Sequence, residues 1–273
     1  DPHRLVVYPS TRRGPKKSRL FFPHLCSLLF SDCTYTELDI ISRKVLSSKL
    51  LRVLDCRNDP WSRADFPSEV VFLVHLRYLN ITSDRGEIPS AIANLSRLET
   101  FVVGGPLTSY FLPNTIWNIK TLRHLVVSAS LGGFIFPINS LEGSPDLEHL
   151  DTLTLSIWNP SRDLQKILTK LPSIRRLRCV GDSNGASAGI LVLDYLSRLE
   201  SLKMRFLIGY EFEFPLNLRK LTLIDNNQPW SIISAIGKLH NLVVLKLCRV
   251  SFLGKKWEME EGDFCNLRFL KLS

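Results

Sequence analysis

The chain has 273 residues, of which 45% are hydrophobic and 22% are charged, a balance typical of a folded protein with a sizeable core rather than of a disordered chain. No apolar run approaches the roughly 18 residues that a membrane-spanning helix needs, so we expect no membrane span. The formal net charge of +9 favours acidic partners but does not by itself indicate nucleic acid, and we expect a protein partner.

One six-residue phrase organises the sequence: apolar, two variable residues, apolar, one variable residue, apolar, as in residues 76–81. Its first apolar residue recurs at Leu25, Leu51, Leu76, Leu98, Leu122, Leu150, Ile174, Leu199, Leu218, Leu242 and Leu267. The gaps of 19 to 28 residues fall in or next to the range of about 20–29 residues of leucine-rich repeats. The phrase therefore predicts an α/β leucine-rich-repeat solenoid of about 11–12 repeats, an irregular horseshoe with a parallel sheet on its concave face.

Such a solenoid predicts one domain over residues 1–273, because each repeat contacts mainly its neighbours. Residues 1–20 hold a degenerate first repeat, at residues 5–7, and a basic loop at residues 11–19, for which a solvated loop and an anionic contact both stay open. The last phrase has no polar capping unit after it, so we expect the chain to be a fragment of a longer protein.

The segments between the phrases must return the chain across the far side. Residues 66–70, 88–95 and 112–119 carry a proline before polar and apolar residues, which predicts short helical turns. Residues 164–168 and 190–196 predict fuller helices, whereas residues 212–215 are too few for one. We expect a protruding loop near residues 129–146 and a mobile surface loop at residues 183–189.

The variable positions of each strand are expected to form a solvated face, Asp55, Asn80 and Thr154 among them. Basic residues outnumber acidic ones there, most clearly from Arg175 to Lys271, and arginine and aromatic residues are common interface anchors. The same pattern also fits a ladder that only keeps the sheet soluble. The candidate partner-binding residues are Arg77, Tyr78, Arg123, His124, Arg175, Arg176, Arg178, Lys203, Arg205, Arg219, Lys220, Lys246, Arg249, Arg268, Phe269 and Lys271.

Other positions argue against regular curvature, secretion and catalysis. The asparagine that normally follows each strand is kept only at Asn226, which predicts a less uniform arc. Six scattered cysteines without a CxxC pair favour reduced thiols, and the glycosylation sequons at Asn80 and Asn94 are treated as incidental. No nucleophile elbow, zinc-protease or phosphate-binding motif is present, so we predict no enzyme and no catalytic, cofactor-binding or metal-binding residue.

Residues 49–55, 73–81 and 112–125 resemble the leucine-rich-repeat domain of plant intracellular coiled-coil, nucleotide-binding immune receptors, and in particular the late-blight-resistance-like proteins of the nightshade family. The resemblance implies a cytoplasmic recognition and autoinhibition module. Repeats near residues 1–100 would pack on the receptor's own nucleotide-binding domain in its resting state. Repeats near residues 170–273 would sense a pathogen effector or a host protein. ADP or ATP would bind the upstream domain and not this chain.

Two other classes stay open. An extracellular receptor ectodomain is favoured by residues 86–89, which match the GxIP phrase of plant cell-surface repeats, and by the two sequons. A substrate-receptor subunit of a ubiquitin ligase would need an upstream F-box.

Overall fold

The computed structural model describes residues 3–7, 24–30, 48–56, 66, 68–82, 87–105, 109–129, 133–135, 147–156, 165–181, 189–207, 210–254 and 259–273. The chain divides into two units, Asp1–Leu131 with Ile135–Pro137 and Gly132–Phe134 with Ile138–Ser273. We call them the first and the second unit. The expectation of one continuous domain stays a prediction.

Eight strands are described in the first half of the chain, and all but the sixth and the eighth follow the predicted phrases. They are β1 Arg4–Val7, β2 Ser27–Phe30, β3 Val53–Asp55, β4 Tyr78–Thr82, β5 Thr100–Gly105, β6 Ser109–Phe111, β7 His124–Ala129 and β8 Gly133–Ile135. In the first unit β1, β2, β3, β4, β5 and β7 pair in that order, all parallel. Leu5 lies opposite Leu28, so the degenerate first repeat is confirmed.

The middle apolar residue of each phrase lies opposite its counterpart on the next strand. Leu28, Leu54, Leu79, Phe101 and Leu125 form such a column, and none is more than 1% exposed. Burying a leucine or phenylalanine side chain stabilises a fold by roughly 1.5–3 kcal/mol. The stacked column therefore forms the core of the first unit.

The proline-led return segments form short helical turns, as predicted. They are the 3₁₀ helices Ser68–Phe72, Ser90–Asn94 and Asn114–Asn118. Pro89 and Pro113 directly precede the last two with φ of −65° and −70°, the value to which the proline ring confines the backbone. Ile92 and Ile116 are fully buried, so each turn seals the core opposite the sheet.

The second unit repeats this plan with longer strands. They are β9 Thr152–Ser156, β10 Arg176–Val180, β11 Gly189–Val192, β12 Ser201–Arg205, β13 Tyr210–Glu213, β14 Lys220–Pro229, β15 Val244–Leu253 and β16 Phe269–Leu272. Strands β9, β10, β12, β14, β15 and β16 pair in that order, all parallel. In β16 the inward positions Leu270 and Leu272 are 53% and 66% exposed, because no described strand pairs beyond it.

Return segments of the second unit depart in part from expectation. Residues 165–168 are helical, as predicted, and Ser231–Gly237 forms an α-helix that the sequence did not single out. The predicted helix over residues 190–196 is wrong, because β11 pairs in parallel with β13. Ile190 is exposed and Leu191 is buried, which is the alternation of a strand. A short apolar run fits both structures until its pairing partner is known.

Two predicted loops and the basic segment fall mainly outside the described residues. These are residues 11–19, residues 183–188 and most of residues 129–146, within which only Ala129 and β8 are described.

Strands β14 and β15 continue past the core through a kink that both strands share, which we call the bulge. Ile224 lies opposite Cys248 and Asn226 opposite Val250, so Asp225 and Arg249 are left without a register partner. Both residues have positive φ, 53° and 50°. The carboxylate of Asp225 accepts hydrogen bonds from Arg205 Nε at 2.8 Å and from Arg249, whose Nη2 lies 3.0 Å away. These charged bonds hold the bulge.

Asn226, directly after the bulge, acts as the predicted ladder asparagine. Its side chain is 1% exposed, its Oδ1 accepts the backbone N–H of Leu207 at 2.7 Å, and its Nδ2 donates to the carbonyl of Met204 at 3.5 Å. It therefore ties two adjacent coils together where water is excluded.

Replacing Asn226 by alanine is expected to lower the free energy of unfolding by about 1–3 kcal/mol, because the buried N–H of Leu207 loses its acceptor. The adjacent Asn227 is exposed, so the matched change Asn227→Ala should stay within about 0.5 kcal/mol of the wild type. Urea denaturation compares the three proteins. Equal losses in both variants would contradict the assignment.

Hydrogen bonds from Arg249 and Arg205 hold the pKa of Asp225 at about 2, below the usual value of about 4. The charged carboxylate therefore stabilises the fold above pH ~4, and this contribution is lost as the pH falls toward 2. Because both arginines are part-exposed, we expect Asp225→Asn to cost only about 1 kcal/mol at pH 7. Asparagine also tolerates positive φ, so the change isolates the charge.

Thermal unfolding of wild type and Asp225→Asn between pH 7 and pH 2 measures this difference. The gap in melting temperature should be constant above pH 5 and close toward pH 2. A gap that does not change with pH would show that the charge contributes nothing to the bulge.

Candidate protein-binding face

Solvent-facing side chains of the parallel strands form what we call the open face of each unit. In the second unit the strand register aligns Arg178, Lys203, Thr222, Lys246 and Lys271 in one line across the sheet. We call these five residues the basic row. Four of the five are cationic, and the row itself contains no carboxylate.

Lys203 is the residue of the basic row on which burial and neighbouring positive charge act together. Burial, and then the neighbouring charges of Arg178, Arg205 and Lys246, lower the pKa of its ammonium group, with Cys248 acting in the opposite direction. Between strands β15 and β16, Lys246 Nζ lies 5.5 Å from the ring centroid of Phe269, within the range of a cation–π contact. An anionic partner would therefore relieve repulsion that the row now carries.

A second line, directly before the strands, mixes both signs. Arg175 lies 3.6 Å from Asp151 and 3.8 Å from Glu200, and backbone hydrogen bonds place Arg219 next to Glu200. These side chains are about half exposed or, for Asp151, 29% exposed, so each pair stabilises the fold by less than about 1 kcal/mol. Arg176, Lys220 and Arg268 are exposed on neighbouring coils.

Two predicted site residues already have a partner within the chain. Arg205 and Arg249 both bind Asp225 in the bulge. Arg205 also lies over the ring of Phe206, with its guanidinium carbon 4.4 Å from the centroid. These two arginines therefore share one carboxylate, which compensates half of their charge.

In the first unit the candidates are fewer and less basic. Tyr78 and His124 lie two strands apart in one line, with Thr100 between them. Arg77 forms an ion pair with Glu99 at 3.4 Å, and Arg123 is exposed. The first unit thus has no counterpart of the basic row among its described residues.

Three variable positions expected to be solvated are buried: Asp55, Asn80 and Thr154, at 5%, 5% and 8% exposure. Asn80 Nδ2 donates to Asp55 Oδ1 at 3.1 Å, so these two side chains satisfy each other beneath the surface. Thr154 is short and lies opposite the long Arg178. Because Asn80 is buried in this contact, its sequon is not accessible to a glycan in the folded chain.

Sequence reasoning missed a polar ladder at the N-terminal edge of the sheet. The residue directly before the first apolar residue of several phrases donates to a turn carbonyl of the preceding coil. The bonds run from Thr121 to Ser96, from Asn217 to Ser197, from Asn241 to Leu216 and from Asn266 to His240. The repeated Asn-Leu pair at the start of these phrases is the sequence pattern that indicates the ladder. The ladder supplies hydrogen-bond donors to turn carbonyls that otherwise lack a backbone partner.

Cysteines and other potential ligands complete the description. Cys26, Cys56, Cys179, Cys248 and Cys265 form no disulfide with one another, and burial raises the pKa of the Cys179 thiol to about 12. In the described part of the chain no three His, Cys, Asp or Glu side chains come together as metal ligands. No described helix is long and apolar enough to cross a bilayer.

The comparisons with known proteins agree with this architecture. A family model described as a leucine-rich repeat region matches residues 24–229. A leucine-rich-repeat protein from Leptospira interrogans has a TM-score of 0.53 at 18% identity over 92% of this chain and 73% of its own. An internalin from Listeria monocytogenes has a TM-score of 0.54 at 14% identity, covering 99% and 87%. At such identities the solved structures support the fold alone.

Several late blight resistance proteins are more similar to the chain in sequence than these solved structures are. The late blight resistance protein R1-A of Solanum demissum is 32% identical over 85% of this chain and 18% of its own length. The putative homologs R1B-16 and R1B-14 of the same species are also 32% identical, over 85% and 91% of this chain and 18% and 19% of theirs. The chain thus spans about a fifth of the length of these relatives. It belongs to the leucine-rich-repeat family and is related to the late blight resistance proteins of Solanum demissum.

Proposed function

We propose that the chain is the recognition and autoinhibition module of a cytoplasmic disease-resistance receptor. In this proposal the second unit binds a pathogen effector or a host protein, and the first unit binds the receptor's own nucleotide-binding domain. ADP or ATP binds that upstream domain, and the chain itself catalyses no reaction. The relation to late blight resistance proteins supports the class of function.

The observation that carries the proposal is the basic row. Its cations come from strands β10, β12, β15 and β16, so residues up to 93 positions apart in sequence, from Arg178 to Lys271, form one continuous surface. The hydrogen-bonded sheet holds the Cα atoms of these residues in place before binding. A partner then meets a preorganised surface and orders fewer groups on binding.

Autoinhibition requires that the two partners of the chain depend on each other. A bound effector shifts the receptor toward its active state only if it binds that state more tightly than the resting one. Contacts on two separate units allow both partners to bind at once, so the coupling comes from the difference in affinity between the two states and not from competition for one surface.

An extracellular receptor ectodomain is the second candidate, and the exposed Asn94 of the second sequon favours it. The two candidates differ in covalent chemistry. Protein isolated from its native tissue carries unmodified Asn94 and reduced thiols if it is cytoplasmic. A glycan mass on the Asn94 peptide, or cysteines resistant to alkylation, would favour the ectodomain instead.

Charge reversal on the first unit tests autoinhibition. In the full-length receptor that carries this chain, Arg52→Glu with Arg77→Glu should release the resting state and cause cell death in leaf tissue without a pathogen. Both residues are exposed and directly precede β3 and β4 at the edge of the open face, and reversing their charge would repel an acidic partner there. Ion leakage from the leaf measures the response.

The matched control is Lys49→Glu with Lys120→Glu, which makes the same change in charge at exposed positions outside the strands. Immunoblots confirm equal protein levels. A silent face variant, or a control that is equally active, would contradict the proposal that this face restrains the receptor.

A further inference from the structure

A groove in the second unit runs past the N-terminal ends of the parallel strands. Its volume is about 710 Å³, within the range of about 300–1,000 Å³ typical of ligand sites. Its lining residues include Arg175, Arg198, Arg219, Arg268 and His240, and Glu200 is the single acidic residue among them. This composition suits an anionic ligand rather than an apolar one.

Most of this positive charge is not compensated. The carboxylates of Asp151 and Glu200 both pair with Arg175. In the described part of the chain Arg198, Arg219 and Arg268 make no ion pair, and Arg198 has only a hydrogen bond of 3.5 Å to the hydroxyl of Ser173. Three of the four arginines that line the groove are therefore without an ion pair in the described part of the chain.

The backbone under the groove is fixed by hydrogen bonds. The N–H of Arg219 donates to Glu200 at 2.9 Å and that of Arg268 to Val243 at 3.0 Å. The side-chain amides of Asn241 and Asn266 donate to turn carbonyls along the rim at 3.0 and 2.8 Å. The arginines thus project from a backbone whose ordering precedes binding, which favours affinity.

Arginine spacing along the groove follows from the coil repeat. Backbone hydrogen bonds link Arg175, Glu200, Arg219, Val243 and Arg268 on successive coils, so arginines stand on every second coil of one line. Neighbouring strands lie about 4.8 Å apart, so these cations recur at about 10 Å. A polyproline-type chain advances about 3.1 Å per residue, and every third side chain therefore recurs at about 9 Å on one side.

We propose that this groove binds an extended acidic segment of a protein partner, with a carboxylate at about every third residue. Guanidinium groups bind carboxylates through two parallel N–H donors, which selects for such a segment over a single diffuse charge. The inference deepens the proposed function and rests on it for the partner being a protein. The groove adds Arg198, His240 and the rim asparagines to the surface expected from sequence.

A fluorescent peptide of sequence Glu-Pro-Pro-Glu-Pro-Pro-Glu is titrated against the full chain, and anisotropy gives Kd. Arg219→Gln with Arg268→Gln should weaken binding at least tenfold, because two charge-assisted contacts are lost. Lys166→Gln with Lys238→Gln removes the same charge from exposed positions on the return segments, outside both the groove and the basic row, and should change Kd less than twofold. Matching thermal unfolding curves show that each variant is folded, and the Gln-Pro-Pro version of the peptide should not bind.

Three outcomes would overturn the inference. The wild type fails to bind the acidic peptide, or both double variants weaken binding equally, which would mean that net charge alone attracts it. In the third outcome a phosphoserine version binds more than tenfold tighter, which would make the ligand a phosphorylated segment. The leaf assay of autoinhibition depends on the first unit, so its result is independent of this one.

Discussion

Parallel backbone pairing between successive coils is the constraint on which the rest of the structure depends. It places each position of the repeat directly beside its counterpart on the next coil. Residues at one repeat position therefore form a line in which all members share the same environment. Leu28, Leu54, Leu79, Phe101 and Leu125 share one buried environment in the first unit. A repeat cannot bury its apolar face alone, and the line of stacked residues supplies that burial.

The same constraint concentrates charge. A lysine on an isolated strand is separated from its neighbours by water, whereas Lys203 and Lys246 are held two strands apart with Thr222 between them. In the second unit the basic row contains no carboxylate, a second line mixes both signs, and in the bulge two arginines share the carboxylate of Asp225. The positions of the uncompensated charges therefore distinguish this surface, and the net charge of the chain alone does not describe it.

The leucine phrase was sufficient to predict the fold class and the strands of the parallel sheet in each unit, and the prolines predicted the short turns, because burial period and spacing are local in sequence. Residues 190–196 were assigned wrongly since an apolar run carries no information on its pairing partner. The burial of Asp55 depends on Asn80 of the next coil, and the positive φ of Asp225 depends on two arginines. The groove depends on turns as well as strands, and no single repeat contains it.

The register of strands β14 and β15 tests this account most directly. Ile224 lies opposite Cys248, and neighbouring strands place such Cα atoms about 4.8 Å apart, close enough for a disulfide. Ile224→Cys should therefore form a cross-link to Cys248 on mild oxidation, seen as a joined peptide by mass spectrometry, whereas Thr222→Cys, opposite Lys246, should not. A cross-link from the Thr222 variant, or none from the Ile224 variant, would contradict the stacking of the coils.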